Sequence, residues 1–362
     1  MKKERILIRD LQSHSDAEAT IAGWVDVRRD QGKMVFFNFR DRSGNVQGVV
    51  LPKSAALEVA KTLRSEYVVS VTGNVNKRPE KNINRDEANG DIELEILAIE
   101  VLAKAEELPF APDAELNLDT LLDNRPLTLR RERERAIFKV QHEIIRAWRE
   151  FLTQEDFVEF QAPKLVGGDA EGGAEVFKVA YFNDQDAYLA TSPQLYKQIM
   201  AGVYERAFTT GEQFRAEHHA TSRHLSEISM LDLEMGFIND HRDVMTMVQN
   251  LMRFVSEKTQ ESARSELALF DVQPILAPEE FPVFTLKEAQ ELIKEKTGAD
   301  KVGANDLDPE DERWLSEYSA KELGSDYVFI THYPYSKRPF YVHKDPENKE
   351  LTLSFDLLFR GV

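Results

Sequence analysis

The residues best suited to chemistry lie between Phe214 and Phe237. The string runs Phe214-Arg215-Ala216-Glu217, then His218-His219-Ala220-Thr221-Ser222-Arg223-His224-Leu225, then Met230-Leu231-Asp232-Leu233-Glu234-Met235-Gly236-Phe237. Two alternating stretches read as strands, and the loop between them carries an arginine and three histidines. An arginine's planar fork makes paired, charge-assisted hydrogen bonds to phosphate oxygens. Arg215 at a strand end and Arg223 in the loop are suited to gripping different phosphates of one nucleotide. A generic loop of this composition is more often a solvated hairpin, so the elements around it must decide.

Upstream, residues 1–103 read as short strands at 20–27, 35–40, 46–51, 67–75 and 92–102, punctuated by Gly23, Gly44 and Gly73. A helical stretch at 54–64 sits between the third and fourth strands. Five strands with a helix after the third is the order of an OB-fold barrel, though composition alone does not separate it from other small barrels. In 35–40, Val35, Phe37 and Phe39 point one way, while Phe36, Asn38 and Arg40 point the other. An aromatic on the polar face is what base stacking needs. Ile92, Leu94 and Ile96 face inward, leaving Glu93 and Glu95 outward.

Residues 104–130 read as a linker. An amphipathic helix at 133–152 follows, with Ile137, Val140, Ile144, Ile145, Trp148, Phe151 and Leu152 at three- and four-residue steps. Residues 131–362 then alternate strands and helices, so the expected class is α+β: an N-terminal barrel and a larger domain with an antiparallel sheet and flanking helices.

Phe-Arg-Ala-Glu, a loop, Arg-His-Leu and Asp-x-Glu-Met resemble signature motif 2 of the class II aminoacyl-tRNA synthetases, in the aspartate/asparagine subgroup. The helix at 133–152 followed by Phe157-Val158-Glu159-Phe160-Gln161-Ala162-Pro163 resembles motif 1. Across the whole chain the pattern is similar to the aspartyl-tRNA synthetases of the compact archaeal type. The resemblance implies that Arg215 is catalytic, holding the α-phosphate of ATP and the aminoacyl carboxylate. Ala216, Glu217, Arg223, His224 and Leu225 complete the ATP site. Where several relatives have an aromatic near the end of the loop, this chain has Ile228, which leaves the stacking partner of adenine open. Glu171 and Gln194 are expected to hold the α-ammonium and backbone-proximal groups of aspartate, with Leu195 and Tyr196 in the same string. Lys197 is expected to meet the β-carboxylate. A site that pairs a charge rejects the uncharged isostere, so Lys197 favours aspartate over asparagine. In the barrel, Phe36 is expected to stack on an anticodon base and Gln47 and Glu93 to hydrogen-bond its neighbours. Pro163 is expected at the centre of a homodimer interface.

The implied activity is aspartate–tRNA ligation with ATP and Mg2+, on tRNA for aspartate and, as an open question, on tRNA for asparagine. Some strict relatives carry a tryptophan two residues after Trp24. Asp26 stands there in this chain and points toward the relaxed type. The alternatives are an asparaginyl-tRNA synthetase and a non-catalytic tRNA-binding paralog. Near the end, His332-Tyr333-Pro334-Tyr335-Ser336-Lys337-Arg338-Pro339-Phe340-Tyr341 and Leu353-Ser354-Phe355-Asp356-Leu357-Leu358-Phe359-Arg360-Gly361-Val362 also match the aspartate branch. In the family a magnesium-ligating glutamate and then motif 3, with Gly-x-Glu-Arg, come next. No Gly-x-Glu-Arg occurs in these 362 residues, so the expected metal ligand lies just after Val362. Without it, this chain is expected to be poorly stable or inactive.

The bulk composition is compatible with all of this. Hydrophobic residues make up 42% and charged residues 30%, and no apolar run approaches the roughly 20 residues of a membrane span. There is no cysteine, which excludes disulfides, thiolate zinc sites and cysteine nucleophiles. The charged start, Met1-Lys2-Lys3-Glu4-Arg5, is no secretory signal, and a cytoplasmic location is expected. A net charge of −18 argues against indiscriminate nucleic-acid binding but leaves room for local basic patches.

Overall fold

A computed structural model of the chain describes residues 4–85, 87–111, 114–168, 176–217 and 225–361. It divides into two compact units, Met1–Thr128 and Leu129–Val362.

In the first unit, β1 (Glu18–Gln31), β2 (Met34–Asp41), β3 (Gly44–Val50), β4 (Val68–Lys77) and β5 (Ile92–Ala103) close a barrel in the order β1-β2-β3-β5-β4. Period-2 alternation puts Val35, Phe37, Phe39, Ile92, Leu94 and Ile96 inside, none more than 4% exposed. Two details depart from the sequence reading, the helix at 54–64 and the placement of Arg40. The helix expected at 54–64 is a single turn, α1 (Leu57–Ala60). Turns flank it, and the Ser54 hydroxyl donates to the carbonyl of Ile96 and accepts from the amide of Ala56, competing with helical bonding. Gly23 and Gly73 lie within β1 and β4, inside the stretches read as strands. A Cβ on Gly23 would come 2.2 Å from the Arg40 carbonyl oxygen, and one on Gly73 2.4 Å from that of Glu95, so both mark close backbone approaches. Arg40, read as outward, is 7% exposed. Its guanidinium pairs with buried Glu66 and, at 3.3 Å, with Asp26, and it lies 5.1 Å from the centroid of the Trp24 ring. Two carboxylates and an indole face compensate its burial.

The stretch read as a linker carries two short helices, α2 (Leu118–Asp123) and α3 (Arg125–Thr128). The Asn117 side chain caps α2 by accepting from the Thr120 amide at 2.8 Å.

In the second unit, α4 (Glu132–Gln154) leads into β6 (Val158–Glu159). A small sheet of β7 (Leu165–Val166), β8 (Lys178–Ala180) and β9 (Asp186–Leu189) precedes α5 (Gln194–Tyr204). Next come β10 (Arg206–Phe214), β11 (Glu227–Met235), α6 (His241–Ser262) and α7 (Arg264–Ala268). The remainder is β12 (Val283–Thr285), α8 (Leu286–Thr297), α9 (Pro309–Glu322), β13 (Tyr327–Thr331) and β14 (Phe355–Phe359). The segment after β11 thus holds, beside its helices, a sheet of order β12-β13-β14. β10 pairs with β11 on one side and with β6 on the other. α4 and α6 bury Trp148, Leu152, Leu251 and Val255 with Phe157 and Phe208 on that sheet. An adjoining stripe of α6 places Met245 with Phe281, just before β12, and with Tyr327 and Phe329 of the other sheet. Ile137, counted on the apolar stripe of α4, is instead 47% exposed, beside Phe138 at 49%.

Replacing Arg40 by Met should lower unfolding stability by about 3 kcal/mol, because Glu66 is left buried without its cation. Arg40→Met with Glu66→Leu should recover most of that loss in chemical denaturation; equal instability of both variants would contradict the pairing.

Candidate active site

The antiparallel ladder of β10 and β11 runs from Arg206 opposite Met235 to Phe214 opposite Glu227. The Arg215 amide extends it, donating to the Ser226 carbonyl at 3.0 Å. Arg215 is thus fixed at a strand end by backbone bonds, while Ala216 follows it half-buried and Glu217 exposed. Leu225, at the other side of the loop, is 53% exposed. Glu171, Arg223 and His224 lie outside the described residues.

α5 packs on β10 and β11. Gln194 at its first turn is 5% exposed, and its amide donates to the Ser192 hydroxyl at 3.1 Å. One turn on, the Lys197 ammonium donates to Asp232 Oδ1 at 2.7 Å and lies 3.5 Å from Glu234 Oε2. Gln194 and Lys197, three residues apart, share one face of α5. Leu195 and Tyr196 do not join them and stand 47% and 37% exposed. Asp232 and Glu234 alternate on β11, so both carboxylates project from the same face of the sheet. The sequence reading quoted this Asp-x-Glu pair without giving it a role. Its signal was available: two acids at strand period on the partner of the strand that carries Arg215.

Burial works against the charge on Lys197, but Asp232 and then Glu234 outweigh it and hold the ammonium above the usual lysine range. Glu234 is pushed up, chiefly by burial, with Lys197 holding back part of the rise and Asp232 adding to it. One ammonium faces two carboxylates, so the cluster keeps a net negative charge. An ammonium has three donors, and Asp232 takes one of them.

In the barrel, Phe36, Asn38 and Gln47 lie together beside Arg29, lining one recess with Val27, Phe37 and Glu87. Asn38 and Gln47 are cross-strand partners, and Gln47 Nε2 donates to Glu93 Oε2 at 3.4 Å. The three barrel residues singled out from sequence therefore share one outer face. Pro163 is exposed. No group of three His, Asp or Glu side chains suited to a metal occurs among the described residues.

Residues 117–362 match the family of class II (D, K and N) tRNA synthetases, and residues 19–102 match the OB-fold nucleic acid binding domain. An aspartate–tRNA(Asp/Asn) ligase of Deinococcus radiodurans is 41% identical, over 99% of this chain and 81% of its own length. The fold is similar to the crystal structure of asparaginyl-tRNA synthetase from Pyrococcus horikoshii bound to asparaginyl-adenylate, with a TM-score of 0.88 and 30% identity over 98% of this chain and 80% of that one. It is also similar to the aspartyl-tRNA synthetase of Entamoeba histolytica, with a TM-score of 0.86 and 26% identity over 99% of this chain and 76% of that one.

Lys197→Met should cost about 2–4 kcal/mol in urea unfolding, since two partly buried carboxylates lose their cation. Adding Asp232→Asn should return part of that loss; strictly additive effects would show that the residues are uncoupled.

Proposed function

The chain belongs to the class II aminoacyl-tRNA synthetases of the D, K and N group, and on that premise we propose that it activates L-aspartate with ATP and transfers it to tRNA. The single observation that carries the choice of amino acid is Lys197 in its cluster with Asp232 and Glu234. Aspartate brings an α-ammonium and a β-carboxylate. The net-negative cluster suits the ammonium, and the remaining donors of Lys197 suit the carboxylate. Asparagine would leave that lysine without an anionic substrate partner. The Deinococcus ligase, by its name, serves tRNA for both Asp and Asn. We extend that relaxed specificity to this chain, and Asp26 supports it.

In the first step the α-carboxylate of aspartate attacks the α-phosphorus of ATP, and pyrophosphate leaves with the electrons of the broken P–O bond. In the second, a terminal ribose hydroxyl of tRNA attacks the acyl carbon, loses its proton, and AMP leaves. Arg215 serves both steps by holding the α-phosphate and the aminoacyl carboxylate where charge builds up. Ala216, Glu217, Arg223, His224 and Leu225 complete the nucleotide site, and Glu171 and Gln194 the amino-acid site. Magnesium, when bound with ATP, neutralises part of the triphosphate charge; among the described residues it is assigned no ligand.

tRNA docks on the barrel with an anticodon base stacked on Phe36 and its neighbours read by Gln47 and Glu93. The exposed apolar residues Ile137, Phe138 and Val158, near Pro163 in the motif 1 segment, support a homodimer. No described helix is long and apolar enough to cross a membrane, and a cytoplasmic setting is part of this reading.

ATP–pyrophosphate exchange on the complete gene product should respond to aspartate and not to asparagine. Exchange with asparagine alone would reverse the assignment of Lys197, and exchange with neither would leave a tRNA binder. Phe36→Ala should raise KM for tRNA roughly tenfold, the loss of one base stack, with exchange unchanged. An unchanged KM would remove Phe36 from the RNA surface.

A further inference from the structure

Lys164 closes a ring of hydrogen bonds beside the site. Its carbonyl accepts from the Ala190 amide at 2.9 Å. The Ala190 carbonyl accepts from the Phe214 amide at 2.9 Å and, with the Gln213 side-chain amide oriented so that both its ends are satisfied, from Gln213 Nε2 at 3.0 Å. Gln213 Oε1 in turn accepts from Lys164 Nζ at 2.9 Å. Gln213 is 1% exposed and Ala190 3%, so little water competes for these bonds. Two residues before Gln213 stands Gly211, where a Cβ would come 3.0 Å from Lys164 Nζ, so the strand leaves room for the ammonium.

The ring joins three segments. Lys164 follows Pro163 at the end of the motif 1 stretch. Gln213 and Phe214 immediately precede Arg215. Ala190 precedes buried Thr191 and Ser192, which lead into Gln194 and Lys197. Holding the charge here has a cost: burial pulls the Lys164 ammonium below the usual lysine range, and Glu212 opposes this only in part.

We propose that Lys164 is a positioning residue for adenylate formation, acting through Gln213 and Ala190 to set Arg215 against the α5 segment that carries Gln194 and Lys197. It touches no substrate. This inference rests on the aspartate-activation reading given above.

The test is Lys164→Met in the complete gene product, with Lys164→Arg as the conservative variant. Stability, read by thermal denaturation, should fall only slightly in Lys164→Met, because the buried Gln213 Oε1 loses its donor while a half-buried charge is removed. In aspartate-dependent pyrophosphate exchange kcat should fall roughly 10–100-fold, the scale of a small misplacement of reacting groups, with KM for ATP and aspartate changed far less. Lys164→Arg should restore part of kcat. Gln213→Met combined with Lys164→Met should be no slower than Lys164→Met alone, since both break one ring. An unchanged kcat with a fully active parent would overturn the inference and leave the aspartate reading intact. Loss of kcat in step with loss of stability would reduce Lys164 to a structural role. A parent with no exchange would overturn both readings.

Discussion

Much of the second unit is arranged around one electrostatic constraint, a lysine ammonium enclosed with two carboxylates. Lys197 and Asp232 are both largely buried, with side-chain exposures of 14% and 13%. At such depth neither charge is tolerated without the other. The pair therefore requires that α5 approach β11 closely and in one register. The same register puts Gln194 on the site side of α5 and Arg215 at the end of the neighbouring strand. With Glu234 the count of charges does not balance.

That constraint is met by packing rather than by the hairpin alone. β10 and β11 make a two-stranded ribbon, a form that is marginal by itself in water. β6 adds only two residues of parallel pairing. α4 and α6 cover the ribbon, and α6 also packs on β13 and its neighbours, so one long helix ties both sheets of the unit together. The Asp240 side chain caps its start by accepting from the Arg242 amide at 2.7 Å, and near its end the Ser256 hydroxyl lies 2.8 Å from the Tyr327 hydroxyl. Lys164 adds a polar tie of the same kind on the opposite side of β10.

The barrel follows different physics. Its core is apolar, with Thr20, Arg40, Asp41, Glu66 and Asn89 buried as polar residues of the same unit, and its outer face gathers Phe36, Asn38, Gln47 and Glu93 without burying them. Alternation in β2 and β5 made that face readable, because a strand has a fixed two-residue period. Arg40 broke the rule because an indole and two acids surround it, and these come from β1 and from the segment before β4. Gly23 and Gly73 serve close backbone approaches, and glycine serves turns and close contacts alike. Which use applies depends on what lies across the sheet. The helix at 54–64 shrank to one turn because Ser54 and the surrounding turns bond to the barrel instead of continuing it.

The amino-acid sequence by itself determined the class of this protein: the five-strand barrel order, the Arg215 hairpin and the helix before Pro163. These are local features, carried by period, turn chemistry and short strings of side chains. Tertiary structure alone decided who neutralises Lys197, which residues of the Gln194–Lys197 string face the sheet, and that Lys164 reaches Gln213. Each of these is a contact between segments distant in the chain. It depends on distance and burial, and neither is written in the residue types of one segment.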